Sequence, residues 1–256
     1  MNHIRENVAV VHQRIENACR KNKRNPNEVS LLLATKTVSA ENILIALQAG
    51  ETLIGENKVQ ELKEKSDTLK AIPHQAHFIG HLQTNKIKEV IKYANCIQSV
   101  DRLELVQKLD QRLQQEGRSM NIMLQVNTSY EESKFGISPE TVISFAKEVA
   151  HYDTLKVKGL MTIGLFSAEK EKVQKCFQLL KNSLNCYLMV NLKSIQAELI
   201  ALALPNFDVQ QLSMGMSNDL ETAIEEGSTM IRVGTAIFGS RVYPDSYYWN
   251  ENATIK

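Results

Sequence analysis

Short apolar runs alternate with amphipathic stretches along nearly the whole chain. Ile4, Val8, Val11 and Ile15 recur at helical spacing and predict an N-terminal helix, which Asn25-Pro26 stops. The run VSLLLATKT, Val29–Thr37, reads as a first buried strand. Ser39 suits the N-cap of a helix over Ala40–Gln48, with Gly50 beyond its C-terminal end. The strand TLIGEN and a polar helix from about Lys58 to Lys70 follow. AHFIG, CIQSV, NIMLQVN, KVKGLMTI and DVQQLSMG are strand-like. Between them TNKIKEVIKY is helical, as is RLELVQKLDQRLQQE, with Asp101 as its expected cap. Ser138-Pro139-Glu140 opens another helix, running to about Tyr152. A long helical stretch covers Ala168–Leu204, and NDLETAIEEG is a helix closed by Gly227. STMIRVGTAIFG supplies the last strand and a turn.

Such alternation calls for a parallel sheet with right-handed crossovers. Roughly eight β-α units favour a closed (β/α)₈ TIM barrel over an open doubly wound sheet. An open sheet would want a glycine-rich phosphate loop after an early strand, and ATKTVS contains no glycine. No linker, low-complexity segment or tandem repeat divides the chain. The expectation is one α/β domain over residues 1–256 with an extra N-terminal helix.

Composition narrows the functional classes. The 256 residues carry 30 basic and 29 acidic side chains, a net charge of +1. No basic field exists for a nucleic-acid backbone. No apolar run could span a bilayer, and the charged N-terminus lacks a signal-peptide core, so a cytoplasmic protein is expected. Cys19, Cys96, Cys176 and Cys186 are scattered without a C-x-x-C pair, which reads as reduced thiols.

A barrel places its chemistry at the C-terminal ends of the strands. Those ends supply Lys36, Gly55-Glu56-Asn57, Gly80-His81, Asn127-Thr128, Met161-Thr162, Ser213 to Ser217, and Arg232, Gly234 and Thr235. The single acid, Glu56, argues against glycoside hydrolysis, which needs two carboxylates. The lack of a His/Asp/Glu cluster argues against a metal. SMGMSND and RVGTAIFG lie where barrels often bind phosphate, with Ser217 expected to cap the following helix. Lys36, desolvated or near another cation such as Arg232, becomes a usable amine nucleophile toward aldehydes. A lysine facing a phosphate cup suits a phosphorylated aldehyde, and pyridoxal 5′-phosphate (PLP) leads the candidates.

The segments LLLATKT, IGENKVQEL, HFIGHLQTNKIK, SVDRLELVQKL, QVNTSYEESKFGI, GLMTI and LSMGMSNDLETAIEEGSTMIRVGTAIFG resemble, in order, the signatures of the PLP homeostasis proteins, the YggS/PROSC family. The resemblance implies a single barrel similar to the N-terminal domain of alanine racemase. It also implies PLP bound as an internal aldimine, without established turnover. Lys36 matches the family's Schiff-base lysine. Ser217, Gly234 and Thr235 match the phosphate cup, with Ser213 a further candidate. Arg232 matches the arginine facing the pyridine nitrogen, and Asn57 a pocket residue near the ring. Met161 is a candidate for the ring face or the core, His81 for a supporting role, and Lys134 for a loop cation or a second lysine exchanging with the aldehyde. Val38-Ser39 stand where many relatives have a second lysine and a proline.

An arginine stays charged and acts only as a donor, so it would keep the ring nitrogen unprotonated and weaken PLP as an electron sink. With the sequence ending at Lys256, the further domain that supplies a racemase's second base is not expected. These points favour a monomeric PLP carrier or buffer, with apo PLP-dependent enzymes as recipients. The alternatives are a racemase-like PLP enzyme of low activity and an aldolase-type Schiff-base lyase.

Overall fold

A computed structural model describes residues 2–128, 135–163 and 187–239. Helix α1 (Asn2–Lys21) precedes strand β1 (Ser30–Ala34), α2 (Ala40–Gln48), β2 (Leu53–Glu56), α3 (Val59–Leu69) and β3 (Gln75–Phe78). Then come α4 (Ile87–Tyr93), β4 (Cys96–Val100), α5 (Leu103–Gln115), β5 (Met120–Gln125), α6 (Val142–Val149) and β6 (Leu155–Met161). The order ends with α7 (Tyr187–Ala201), β7 (Phe207–Ser213), α8 (Leu220–Glu225), β8 (Met230–Val233) and the short α9 (Thr235–Phe238). The eight strands pair in chain order, and β1 pairs in parallel with β8 to close the barrel. The expected α/β barrel with an added N-terminal helix is therefore the observed fold.

Two apolar regions hold it together. The larger lies where the outer faces of the strands, among them Leu31, Leu33, Ile54, Phe78 and Ile97, meet the helices. The smaller comprises Cys96, Met123 and Met161, with Ile163 against them. In β1 every residue after Ser30 is buried, as a strand covered on both faces requires. Helix α1 turns Val8, Val11 and Ile15 inward against α2, α8 and α9. Asn7 Nδ2 donates to the Ile237 carbonyl at 2.9 Å, and Arg14 bonds Glu221 at 2.6 and 2.8 Å.

Several local expectations hold. Ser39 caps α2, its hydroxyl accepting from Asn42 N–H at 3.4 Å, and Gly50 takes the left-handed conformation past the helix end (φ 106°). Ser138-Pro139 start a 3₁₀ turn that runs into α6. Others are corrected. Strand β1 ends at Ala34, because Thr37 turns left-handed (φ 64°) and carries the chain off the sheet. Arg102, not Asp101, holds the cap position of α5, and the Asp101 carboxylate accepts from the Arg102 guanidinium at 2.8 Å. Cys19 and Cys96 are free and buried, while Cys176 and Cys186 lie outside the described residues. Part of the predicted 168–204 helix also lies outside them; α7 is the described part. Among the described residues no helix is long and apolar enough to cross a membrane.

Candidate active site at the barrel mouth

Lys36 follows the end of β1 and is 8% exposed. Its two neighbours are tied down by side chains of β2 and α3. Thr35 Oγ1 donates to Glu56 Oε1 at 2.7 Å, and Lys65 Nζ donates to the Thr35 carbonyl at 3.0 Å. Thr37 N–H donates to Glu61 Oε2 at 2.7 Å. Lys65 Nζ also bonds Glu56 at 2.7 Å and Glu61 at 2.8 Å. Glu56 is fully buried, and burial pushes its carboxyl up to about 7 against the opposing pull of Lys65. Burial alone would lower the Lys65 ammonium, but Glu56 and Glu61 outweigh it and raise its pKa. Asn57, one residue past β2, is buried beside Gly80. A Cβ at Gly80 would run into the Asn57 carbonyl oxygen, so only glycine lets the two strand ends approach this closely.

Arg232 lies opposite Leu32 in the β1–β8 register, four residues short of the Lys36 position, about 13 Å along a strand. Its Nη1 donates to the Ser213 carbonyl and hydroxyl at 2.7 and 2.8 Å, and its Nη2 to the Thr162 carbonyl at 2.7 Å. Burial lowers its pKa to about 10, and the Asp219 carboxylate opposes that fall. The chain of bonds continues across the barrel. Ser213 Oγ donates to Gln98 Oε1 at 2.7 Å, and Gln98 Nε2 donates to His77 Nδ1 at 2.7 Å. Strand β4 does not pair with β7, so the Ser213–Gln98 bond passes through the barrel interior. Burial pushes His77 down to about 4, so the ring is uncharged at neutral pH, and an uncharged ring can accept the Gln98 bond at Nδ1.

At the rim, Thr235 Oγ1 donates to Ser217 Oγ at 3.1 Å, and Ala236 N–H donates to the same oxygen at 3.3 Å. Gly234, just before α9, is buried. Ser217 therefore faces α9 and does not cap α8 as expected; Asp219 holds that cap position, its carboxylate accepting from Met216 N–H. The turn between β7 and α8 depends on Gly215 (φ 95°), where a Cβ would strike the Ala223 methyl group.

The structure thus brings the predicted residues to one end of the barrel in three groups. Lys36 and Asn57 stand at the ends of β1 and β2, Arg232 and Ser213 lie deeper, and Ser217, Gly234 and Thr235 form the rim. Ser213 departs from its expected place in a phosphate cup: its one hydroxyl proton is on Gln98, and its oxygen receives Arg232. Met161 is fully buried with Cys96 and Met123. His81 stacks on Phe135 at 3.7 Å between ring centroids and stands 3.8 Å from Asp101. Lys134 lies outside the described residues. Sequence reading missed Gln98, His77, Lys65 and Glu61, and it counted Glu56 as the only nearby acid, although Asp219 acts on Arg232.

The alanine racemase N-terminal domain family matches residues 1–242 of this chain. The pyridoxal phosphate homeostasis protein of Haemophilus influenzae is 38% identical over 245 residues, covering 95% of this chain and 98% of that protein. PipY of Synechococcus elongatus PCC7942, solved with PLP bound, superposes with a TM-score of 0.74 at 29% identity, covering 92% of this chain and 100% of that one. An alanine racemase of Clostridium difficile 630 shares the fold, with a TM-score of 0.70 at 15% identity, over 96% of this chain and 58% of that one. With a barrel of alanine racemase N-terminal type and this identity over its length, the chain belongs to the pyridoxal phosphate homeostasis protein family.

Proposed function

We propose that this protein binds PLP at the barrel mouth, covalently through Lys36, and acts as an intracellular carrier or buffer of the cofactor. A buried lysine and a cluster of hydroxyl and N–H groups at the mouth of one barrel carry this assignment. Ser217, Thr235 and the Ala236 N–H converge within hydrogen-bond distance, a donor set that fits a phosphate group. Gly234 lets backbone come close, and Asn57 lines the ring position. These residues fit PLP as a group: an amine for the aldehyde, donors for the phosphate, and a deep cation for the ring nitrogen.

Bound PLP supplies an electrophilic aldehyde and, with its ring nitrogen protonated, an electron sink. Arg232 offers that nitrogen only N–H donors, and burial lowers its own pKa no further than about 10, so it stays charged near neutrality. A charged donor holds the ring nitrogen unprotonated, which favours storage over carbanion chemistry. Ser213 and the Thr162 carbonyl orient the guanidinium; Ser213 acts on the cofactor through Arg232. Apo PLP-dependent enzymes are the chemical class that would consume the released cofactor.

Reconstitution with PLP followed by borohydride reduction and peptide mapping tests this. The wild type should turn yellow and carry the reduced adduct on Lys36, and Lys36→Ala should lose both. An adduct on another lysine, or a wild type that stays colourless in PLP, would overturn the assignment. Wash-out of a substrate α-deuteron well above the rate with free PLP would instead make the protein a racemase-like enzyme.

A further inference from the structure

We propose that Glu61 and Lys65, with Glu56 behind them, are positioning residues that set the geometry of Lys36 by clamping the peptide groups on both sides of it. The inference deepens the PLP reading and rests on Lys36 as the point of attachment. The clamp is asymmetric and complete. On the N-terminal side, Lys65 Nζ holds the Thr35 carbonyl and Glu56 holds the Thr35 hydroxyl. On the C-terminal side, Glu61 Oε2 holds the Thr37 N–H. Thr37 is a β-branched residue in the left-handed region (φ 64°), a conformation that persists only where its surroundings enforce it. Its hydroxyl also donates back to the Lys36 carbonyl at 2.6 Å.

The two halves of the clamp are one unit. The Lys65 ammonium has three protons, and its bonds go to Thr35, Glu56 and Glu61. Glu61 and Lys65 sit one turn apart on α3, so a rigid helix face meets the loop that carries Lys36. A pair serving only to pack α3 would need contact with the strand alone. This one grips the residues immediately before and after the reactive lysine.

Attachment of an aldehyde makes the demand on geometry explicit. The unprotonated amine adds to the carbonyl carbon, a C=N bond replaces C=O, and the oxygen leaves as water with both amine protons. No electron is gained or lost. The amine must meet the carbonyl carbon along a narrow approach while the phosphate stays anchored elsewhere, and small misplacements in such reactions are costly.

The test compares apo wild type with Glu61→Ala, Glu61→Gln, Lys65→Met and Lys63→Met, each mixed with PLP. Lys63, on the same helix as Glu61 and Lys65, pairs instead with Glu89 of α4 at 3.4 Å and serves as the control. Three readouts are followed: the rate of colour formation, the pH titration of the colour, and the melting temperature. Glu61→Ala and Lys65→Met should slow attachment on the order of ten- to a hundredfold and displace the pH titration. Glu61→Gln keeps an acceptor for Thr37 N–H and should recover much of the rate; Lys63→Met should match wild type. Should Lys65→Met fail to fold, the Glu61 pair alone decides. Wild-type rate and titration in Glu61→Ala, with only the melting temperature lowered, would overturn the clamp's role and leave PLP binding standing. A wild type that forms no bond at Lys36 would overturn the PLP reading, and the clamp's role with it.

Discussion

Two cationic side chains of the barrel mouth region are held in opposite ways. On the β1–β2 side, Lys65 is held by charge, with two carboxylates on one ammonium. On the β7–β8 side, Arg232 is held by neutral acceptors: two backbone carbonyls and a serine hydroxyl. A cation paired with a buried carboxylate answers to pH, because the carboxylate can take a proton. A cation resting on carbonyl dipoles has no partner that titrates in its direct bonds. The barrel thus places a pH-sensitive brace beside the lysine and a pH-indifferent one beneath it.

Removing Lys65 should break this contrast most severely. Lys65→Met leaves Glu56 buried without its ion partner, a change that costs about 3–5 kcal/mol when the charge remains. Glu56 has its pKa raised, to about 7 from the ordinary 4.5. Its folded form therefore holds a proton more tightly than the unfolded chain does. The stability this confers is complete below the unfolded value and is lost as pH rises through about 7. Without Lys65 that loss should extend to higher pH, so the penalty should be largest near pH ~8 and shrink toward pH ~5. Urea unfolding across that range checks it, and a penalty independent of pH would contradict the charge-held description.

On the other side, Gln98→Leu should cost about 1–3 kcal/mol, since Ser213 Oγ and His77 Nδ1 lose their partner in a buried site. The penalty should be flat between about pH 6 and about 8, because His77, at about 4, and Arg232, at about 10, titrate outside that window. A slope there would mean that His77 titrates near neutrality. The smallest effect is expected from Thr35→Val, about 0.5–1.5 kcal/mol. That hydroxyl bonds the ionised form of Glu56, so the cost should be greater at high pH than at low, and the Glu56 titration should move upward.

The sequence made the barrel legible because its evidence is local. Apolar runs such as Leu31–Ala34 and Cys96–Val100 alternate with capped helices; Lys36, Asn57 and Thr235 stand just past the ends of such runs, and Arg232 is the one cation inside the last of them. What stayed hidden depends on facing. Gln98 lies inside the strand CIQSV, where one polar residue among apolar ones gives no hint that it reaches across to Ser213, 115 residues away. Glu61 and Lys65 have the i,i+4 spacing of an ordinary solvated helix pair, and nothing in the polar segment 58–70 sets them apart. The useful signal was Thr37: a strand that must leave the sheet at a β-branched residue needs something to hold the turn. Ser217 misled for a related reason, since a serine before a helix looks like a cap whichever neighbouring helix it faces.

The bonds from Arg232 through Ser213 and Gln98 to His77 also have a consequence in time. Their middle link, Ser213 to Gln98, joins β7 to β4, so the series cannot be completed until the chain has gone almost full circle. Contacts of such long sequence separation belong to the last stage of assembly, after most strand pairing is in place. Gln98→Leu should accordingly leave the refolding rate nearly unchanged and quicken unfolding, making this chain the latch that governs how long a closed barrel stays closed.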